Sequence, residues 1–336
     1  MNKINLAVIG LGNMGLDMIR HMIPSYANDM NLVAVCDSNE SQFETIVGAH
    51  PEARCFTDYR ELLNEVDVDL VYIAVPPAMH YEVALSAISK NMHVFCEKPL
   101  ANSLAEAKHL LEMAAEREIV HAVHFSFPLE PAVLMLRKLM AEQCVGQVTG
   151  MELILEFPQW PRPWQQNRWV STRQEGGFIL EVGIHWIQMI QQVFGSITHV
   201  QSAVTFPAGT GSCENEVAAL LTLDNHVSIR VSGTVNGGSQ ERVSLIVHGT
   251  EGTIALENWE QLLLNGANVE LPDEIMQASA SRLPILNNVI QLLNGRQGFV
   301  YDFYDGYNAQ VILEALRYPS EAGAVDVRLQ HISRPQ

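Results

Sequence analysis

A few side chains in this sequence have the types and spacing for acid–base chemistry. Lys98 stands in Glu97-Lys98-Pro99-Leu100-Ala101, directly after the short apolar run His93–Cys96. Proline cannot donate to a sheet ladder, and it restricts the preceding residue to extended geometry. Lys98 should therefore be held just past the carboxyl end of a buried strand, the edge where open α/β sheets bind their ligands. The chain has only five lysines, Lys3, Lys90, Lys98, Lys108 and Lys138, so an ammonium beside a substrate has few sources. A solvated Glu97–Lys98 charge pair in a turn is the plain alternative.

Glu181 and His185 lie four apart within the run 174–194, whose apolar spacing predicts a helix entered through Gly176-Gly177. That spacing puts both on one helix face. A carboxylate beside an imidazole can fix its tautomer and raise its basicity, as general acid–base catalysis needs; a mere helix pair is the alternative. Gly183 between them is costly in a helix interior, by about 1 kcal/mol against alanine. A close approach by some other group, a substrate being one candidate, would account for it.

Four of the five tryptophans, Trp160, Trp164, Trp169 and Trp186, fall within 27 residues, three of them in a loop stiffened by Pro158, Pro161 and Pro163. Trp164 and Trp169 could stack on sugar C–H groups while Arg162, Arg168 or Arg173 holds oxygens. The same tryptophans could equally cement a domain or subunit contact.

These groups need elements to position them. Ile4–Ile9 is a nearly continuous apolar strand, followed by Gly10-Leu11-Gly12-Asn13-Met14-Gly15 and an amphipathic helix to about Met22. In a strand–turn–helix, Gly10 permits the tight turn, Gly12 lets the backbone approach a pyrophosphate, and Gly15 allows close packing. A second strand, 31–36, ends at Asp37, placed to accept from the adenosine ribose and to repel a 2′-phosphate. NAD is favoured and NADP is the alternative; Asp37 could instead only cap the next helix. A third strand ends in Val75-Pro76-Pro77, with His80 opening a helix, and this loop, with Glu97 and Lys98 after the next strand, should border the cofactor. The strand–helix alternation predicts a parallel doubly wound (Rossmann) sheet over 1–122. Beyond it, strand-like segments in hairpin succession predict an α+β domain over 123–336 with a largely antiparallel open sheet.

Composition narrows the partners. With 38 acidic against 20 basic residues the formal charge is −18, which argues against nucleic acid or an anionic membrane. Five cysteines without a C-x-x-C predict neither structural zinc nor a disulfide framework, and no metal is expected. No signal peptide or membrane-spanning run is legible, so a cytoplasmic protein is expected.

The combination resembles the Gfo/Idh/MocA family, named after glucose–fructose oxidoreductase and inositol dehydrogenase. The resemblance runs through Gly10-x-Gly12-x-x-Gly15, Thr57-Asp58-Tyr59, Pro76-Pro77-x-x-His80 and Glu97-Lys98-Pro99-Leu100-Ala101. It continues in Gly176-Gly177, Gly183-x-His185, Asp305-Gly306 and Ala324-Val325-Asp326-Val327. It implies that Lys98, Glu181 and His185 converge at the nicotinamide. It also implies hydride transfer between the nicotinamide and a secondary alcohol or ketone of a sugar or polyol. His185 would then be the general acid/base, Glu181 its orienting group, and Lys98 the group that steadies alkoxide charge. A homodimer or homotetramer, joined through the open sheet face, is implied as well.

Two departures stand out: Glu181 where the family more often has Asp, and Gln188 where it commonly has Asp. A non-catalytic nucleotide-binding sensor, or a redox-neutral glycosidase or epimerase of the same fold, are the competing functions.

Overall fold

The structure, a computed structural model, describes residues 3–165, 167–209, 211–282 and 285–334. The chain forms two compact units, Met1–His124 with Pro284–Tyr307, and Phe125–Leu283 with Asn308–Gln336. The first break lies beside the 122/123 boundary read from the sequence, and the return of 284–307 to the first unit is additional to that reading.

The first unit is built on six parallel strands: β1 Ile4–Ile9, β2 Met30–Cys36, β3 Arg54–Phe56, β4 Leu70–Ile73, β5 His93–Cys96 and β6 His121–Val123. Their order is β3-β2-β1-β4-β5-β6, the doubly wound arrangement whose ligand crevice opens where the order reverses, between β1 and β4. All four residues of β4, and all of β1 but Asn5, are buried, as expected of strands covered on both faces. The helix after β4 runs Pro77–Ser89, so it starts about one turn before His80, where the sequence reading opens it. Pro77 is its first residue, a position where a missing N–H costs nothing.

Just past the strand ends the ladder continues across five strands, from β2 to β6. Gly10 N–H donates to the Cys36 carbonyl (2.8 Å), Ala74 to Ile9 (2.8 Å), Glu97 to Ile73 (2.9 Å) and His124 to Cys96 (2.8 Å). Gly10, Ala74, Glu97 and His124 thus stand in one row along the carboxyl edge.

The second unit carries a nine-stranded sheet: β7 Val148–Phe157, β8 Ile197–Thr205, β9 Glu216–Leu223, β10 Ser228–Val235, β11 Arg242–Gly249, β12 Thr253–Glu257, β13 Gln261–Leu264, β14 Ala267–Asn268 and β15 Val325–Asp326. Its order is β14-β13-β12-β11-β7-β10-β9-β8-β15. Every pairing is antiparallel except β7 with β10. The sheet is therefore not the plain hairpin succession the sequence suggests, because β7 inserts between β10 and β11. The β9–β10 hairpin does turn at Asp224-Asn225, closed by His226 N–H on the Leu223 carbonyl (3.0 Å). One face of the sheet buries Met151, Leu153 and Leu155 of β7 and Val217 and Leu221 of β9, beside Ile179 and Ile187 of the segment that carries Glu181 and His185. Among the described residues no helix is long and apolar enough to cross a membrane.

Candidate active site

In the first unit the glycine turn is shaped as a cradle. Gly10 has φ +97, and a Cβ on it would strike the Ala74 carbonyl; a Cβ on Gly15 would collide with the Gly10 carbonyl oxygen. A Cβ on Gly12, by contrast, would meet nothing within 4 Å, so the space over the turn is open. Asn13 and Met14 are exposed beside it. Asp37 is tied to this turn: its Oδ2 accepts from Leu11 N–H (2.6 Å) and its Oδ1 from Asn39 N–H (2.8 Å). Asn39, not Asp37, caps the following helical turn. The residues present fit a dinucleotide: open backbone over the turn, with a carboxylate at the tip of the second strand.

Lys98 is half-buried, and it is fixed from both sides. On one side Glu97, only 7% exposed, accepts from the Tyr72 hydroxyl (2.5 Å) and lies 2.7 Å from His124 Nδ1 through the same Oε1. A carboxylate only accepts, so His124 Nδ1 must carry its proton there. Burial opposes the Glu97 charge. The His124 ring, the two hydrogen bonds and the Lys98 ammonium outweigh it and hold the carboxyl at about 2. The Tyr72 phenol is pushed well above its usual range, first by burial and then by the Glu97 charge. Tyr72, Glu97 and His124 come from three adjacent strand ends, β4, β5 and β6, so the network ties that edge together.

On the other side of Lys98, the Pro99 carbonyl faces His80 Nδ1 at 2.7 Å, while His80 Nε2 faces the Val75 carbonyl at 2.9 Å. His80 is 1% exposed. Its imidazole sits inside, bracing the Val75-Pro76-Pro77 loop against the Lys98 loop. Burial pushes its pKa down, against the pull of the two carbonyls. A neutral ring bonds one of these carbonyls at a time, and only the imidazolium bonds both.

In the second unit, Glu181 falls in a π-helical turn, Ile179–Gly183, that leads into the α-helix Ile184–Phe194 carrying His185. Such turns recur at functional sites, and apolar spacing alone does not reveal one. From Phe178 to Ile190 every residue is buried except Glu181 and His185. The two groups therefore share the one face of this segment that is not packed away. The helix start is held by Glu214, whose Oε1 accepts from Ile179 N–H (2.8 Å). Gly177 has φ +98, and a Cβ there would run into the Glu214 carboxylate. Arg317 donates to the carbonyls of Arg173 (2.7 Å), Gln174 (3.4 Å) and Gly176 (3.4 Å), pinning the loop that leads in. Neither Glu214 nor Arg317 stands out in the sequence.

The close approach considered above is not what the structure shows at Gly183. A Cβ there would sit 3.7 Å from Ile179 Cγ2 and 3.9 Å from Leu155 Cδ1, ordinary contact. The residue faces the sheet beside a small apolar cavity lined by Leu153, Leu155, Ile187 and Leu316. Its φ of −55 and ψ of −37 suit any residue. Gly183→Ala should therefore stabilise the protein by about 1 kcal/mol, through helix propensity and filled space. Denaturant unfolding measures this, and a loss of stability would show that the position admits no methyl. Gln188 is 1% exposed, and its Nε2 has no hydrogen-bond partner among the described residues. A carboxylate placed there would lose its hydration, a severe cost for a charge, so the neutral amide suits this chain.

The tryptophans divide by role. Trp186 is buried against Phe127, and Trp160 packs on Phe157 and Phe178 while its Nε1 donates to the Val170 carbonyl (3.1 Å). These two cement the unit. Trp164 is 61% exposed, Arg168 is exposed and Trp169 is half-exposed. Arg162 is engaged by Glu241 in a two-pronged pair (2.9 and 2.6 Å), and Arg173 stacks on Phe206 at 3.7 Å. Gln165, absent from the sequence reading, donates to Glu181 Oε2 at 3.5 Å and accepts from Arg162 N–H at 3.2 Å. The loop with Trp164 thus reaches the Glu181 carboxylate. Among the described residues no group of three or more His, Cys, Asp or Glu could hold a metal ion.

Comparison with known proteins places these features in a lineage. Residues 4–125 match the profile of an oxidoreductase family with an NAD-binding Rossmann fold, Gfo/Idh/MocA, and residues 133–255 match the C-terminal domain of the same family. Levoglucosan dehydrogenase of Pseudarthrobacter phenanthrenivorans is 25% identical over 254 residues, covering 67% of this chain and 62% of that protein. D-glucoside 3-dehydrogenase of Escherichia coli is 29% identical over 200 residues, covering 58% and 55%. The matched stretch thus spans somewhat more than half of each relative. Among solved structures, levoglucosan dehydrogenase in complex with NADH and L-sorbose superposes with a TM-score of 0.82 at 20% identity, over 97% of this chain and 99% of that one. The WlbA dehydrogenase from Bordetella pertussis, in complex with NADH and UDP-GlcNAcA, gives 0.82 at 18% identity, over the same shares. At these identities the structures speak for the fold. With both domain profiles matched in order, the chain belongs to the Gfo/Idh/MocA oxidoreductase family, and its first domain is that family's NAD-binding Rossmann domain.

Proposed function

We propose that the protein is an NAD-dependent oxidoreductase acting on a secondary alcohol of a sugar or polyol, or on the matching ketone. One observation carries the reading: the open glycine turn, Asp37 and the doubly braced Lys98 loop all lie at one carboxyl edge of an NAD-binding sheet. The names of the relatives, a levoglucosan dehydrogenase and a D-glucoside 3-dehydrogenase, support a carbohydrate substrate. The exposed Trp164, Trp169 and Arg168 suit one too, as aromatic faces and a guanidinium on a loop that reaches Glu181.

Gly10, Gly12, Asn13, Met14 and Gly15 would hold the pyrophosphate and Asp37 the adenosine ribose, with Val75, Pro76 and Pro77 forming the adjoining loop. Bound nicotinamide supplies the hydride acceptor or donor. The protein's own part is proton transfer at the substrate oxygen. His185 takes the hydroxyl proton in oxidation and returns it in reduction, and Glu181 orients it. The Lys98 ammonium steadies negative charge as it grows on that oxygen. His80 and Glu97, both buried, act through the loops they brace.

The test is absorbance at the NADH band, with pooled sugars, polyols and sugar acids, NAD and NADP run separately, and Lys98→Met as the blank. A rise with the wild type alone is expected, larger with NAD. Product formed without net NADH would assign a redox-neutral cycle instead, and nucleotide binding with no turnover of any pool would assign a sensor.

A further inference from the structure

The fifth tryptophan, Trp259, lies outside the cluster read from the sequence, in the turn between β12 and β13. Its φ is +78 and that of Asn258 is +47, and Glu260 N–H closes the turn on the Glu257 carbonyl at 3.3 Å. Two successive positive φ values mark a hairpin turn that selects Asn-Gly. Asn258 obeys that preference and Trp259 breaks it. A bulky side chain in this region is an outlier, and it persists only where the surroundings over-determine it. The turn itself gives no reason for an indole.

The neighbours do. The Trp259 ring centre lies 5.7 Å from that of His185 with the planes at 81°, 5.5 Å from Trp186 and 4.9 Å from Phe127. Phe125 also stands perpendicular to His185, at 6.5 Å and 88°. Trp186 and Phe127 are buried and packed on each other at 4.9 Å, so the indole rests on a fixed base. The turn is pinned to β11 twice: Asn258 N–H donates to the Val243 carbonyl (2.7 Å), and Asn258 Oδ1 accepts from Val243 N–H (3.0 Å). Perpendicular aromatic contacts set the plane of a ring, and His185 has one from Phe125 and one from Trp259. Both contacts lie within the second unit.

We propose that Trp259 is a positioning residue for His185, holding the imidazole plane for proton transfer at the cost of an unfavourable backbone. This rests on the reading of His185 as the acid–base group. Trp259 is given no role on the reacting atoms, and its effect passes through the ring it frames.

The experiment compares Trp259→Gly, Trp259→Leu, Trp259→Phe and His185→Ala on the intact enzyme. Trp259→Gly supplies the residue the turn prefers, so the hairpin should survive, as checked by circular dichroism. The expected result is a fall in kcat of about 10- to 100-fold, the range that misplacement of a catalytic group produces, with the KM for the nucleotide unchanged. Trp259→Leu keeps a bulky group on the same backbone but lacks the ring, and it should lose as much. Trp259→Phe should recover most of kcat. Should the glycine variant not fold, the leucine and phenylalanine variants still decide the matter. Wild-type kcat in Trp259→Leu or Trp259→Gly, with His185→Ala inactive, would overturn the role of Trp259 alone. Activity surviving in His185→Ala would instead remove the assignment of His185 on which it rests.

Discussion

Lys98→Met should lower kcat by about a thousandfold, within the range seen when one stabilising donor or one proton-transfer group is removed, while nucleotide affinity by fluorescence titration stays the same. Methionine keeps much of the side-chain volume and removes only the charge and its donors. The expected size follows from how the residue is held. Glu97 before it is buried and bonded to two strand ends, and the Pro99 carbonyl after it is met by His80. A charge fixed in advance reorganises little as the reaction proceeds, and such groups contribute most to rate. Lys98→Arg should not rescue: a planar guanidinium has a different shape from a compact ammonium. Wild-type turnover in Lys98→Met would end the assignment. A parallel loss of nucleotide binding would make the lysine a cofactor group.

The strands of the first unit were legible because burial on both faces leaves continuous apolar runs; 4–9 and 93–96 were read with the ends the structure shows. β3 went unread, since three residues with one buried side chain leave no pattern. In the second unit the strands from β7 to β12 were legible but their pairing was not, and β13, β14 and β15 were not read. Nothing local in Val148–Phe157 says that it lies parallel to a strand some eighty residues later. The chain beyond 258 gave little: the helices Asp273–Arg282, Ile285–Leu293 and Phe303–Arg317 were not read at all.

The candidate site divides in the same way. Lys98, Glu181 and His185 were singled out by spacing and flanking residues, which are local properties, and their joint role came from the family resemblance. Their supports were not. Tyr72 and His124 sit in or beside apolar strands and look like filler, until the fold stacks β4, β5 and β6 side by side. Glu214 and Arg317 reach the 173–179 segment from far along the chain. Trp259 reads as a lone aromatic between Asn258 and Glu260, because a sequence does not display φ.

Glu97→Gln should destabilise the protein by an amount on the order of 3 kcal/mol at neutral pH, and the gap should close in acid. The Glu97 carboxyl ionises at about 2 in the folded chain against 4.5 for an unperturbed glutamate. A depressed folded value means that the unfolded chain binds the proton more readily. The ionised carboxylate therefore contributes its full stabilisation above about 4.5, and loses it as pH falls through that value toward about 2. Glutamine occupies the same space and still accepts from Tyr72, but it carries no charge to set beside the His124 ring and Lys98. The variant should thus trail the wild type at pH 7 and approach it at pH 3, in denaturant titrations run at both. Tyr72→Phe removes one hydrogen bond and leaves the charge, so a smaller deficit, of about 1 kcal/mol or more, is expected at pH 7. Equal stability of Glu97→Gln and wild type at pH 7 would show that burial consumes whatever the pairing gains. A gap unchanged between pH 7 and pH 3 would assign the loss to packing rather than to charge.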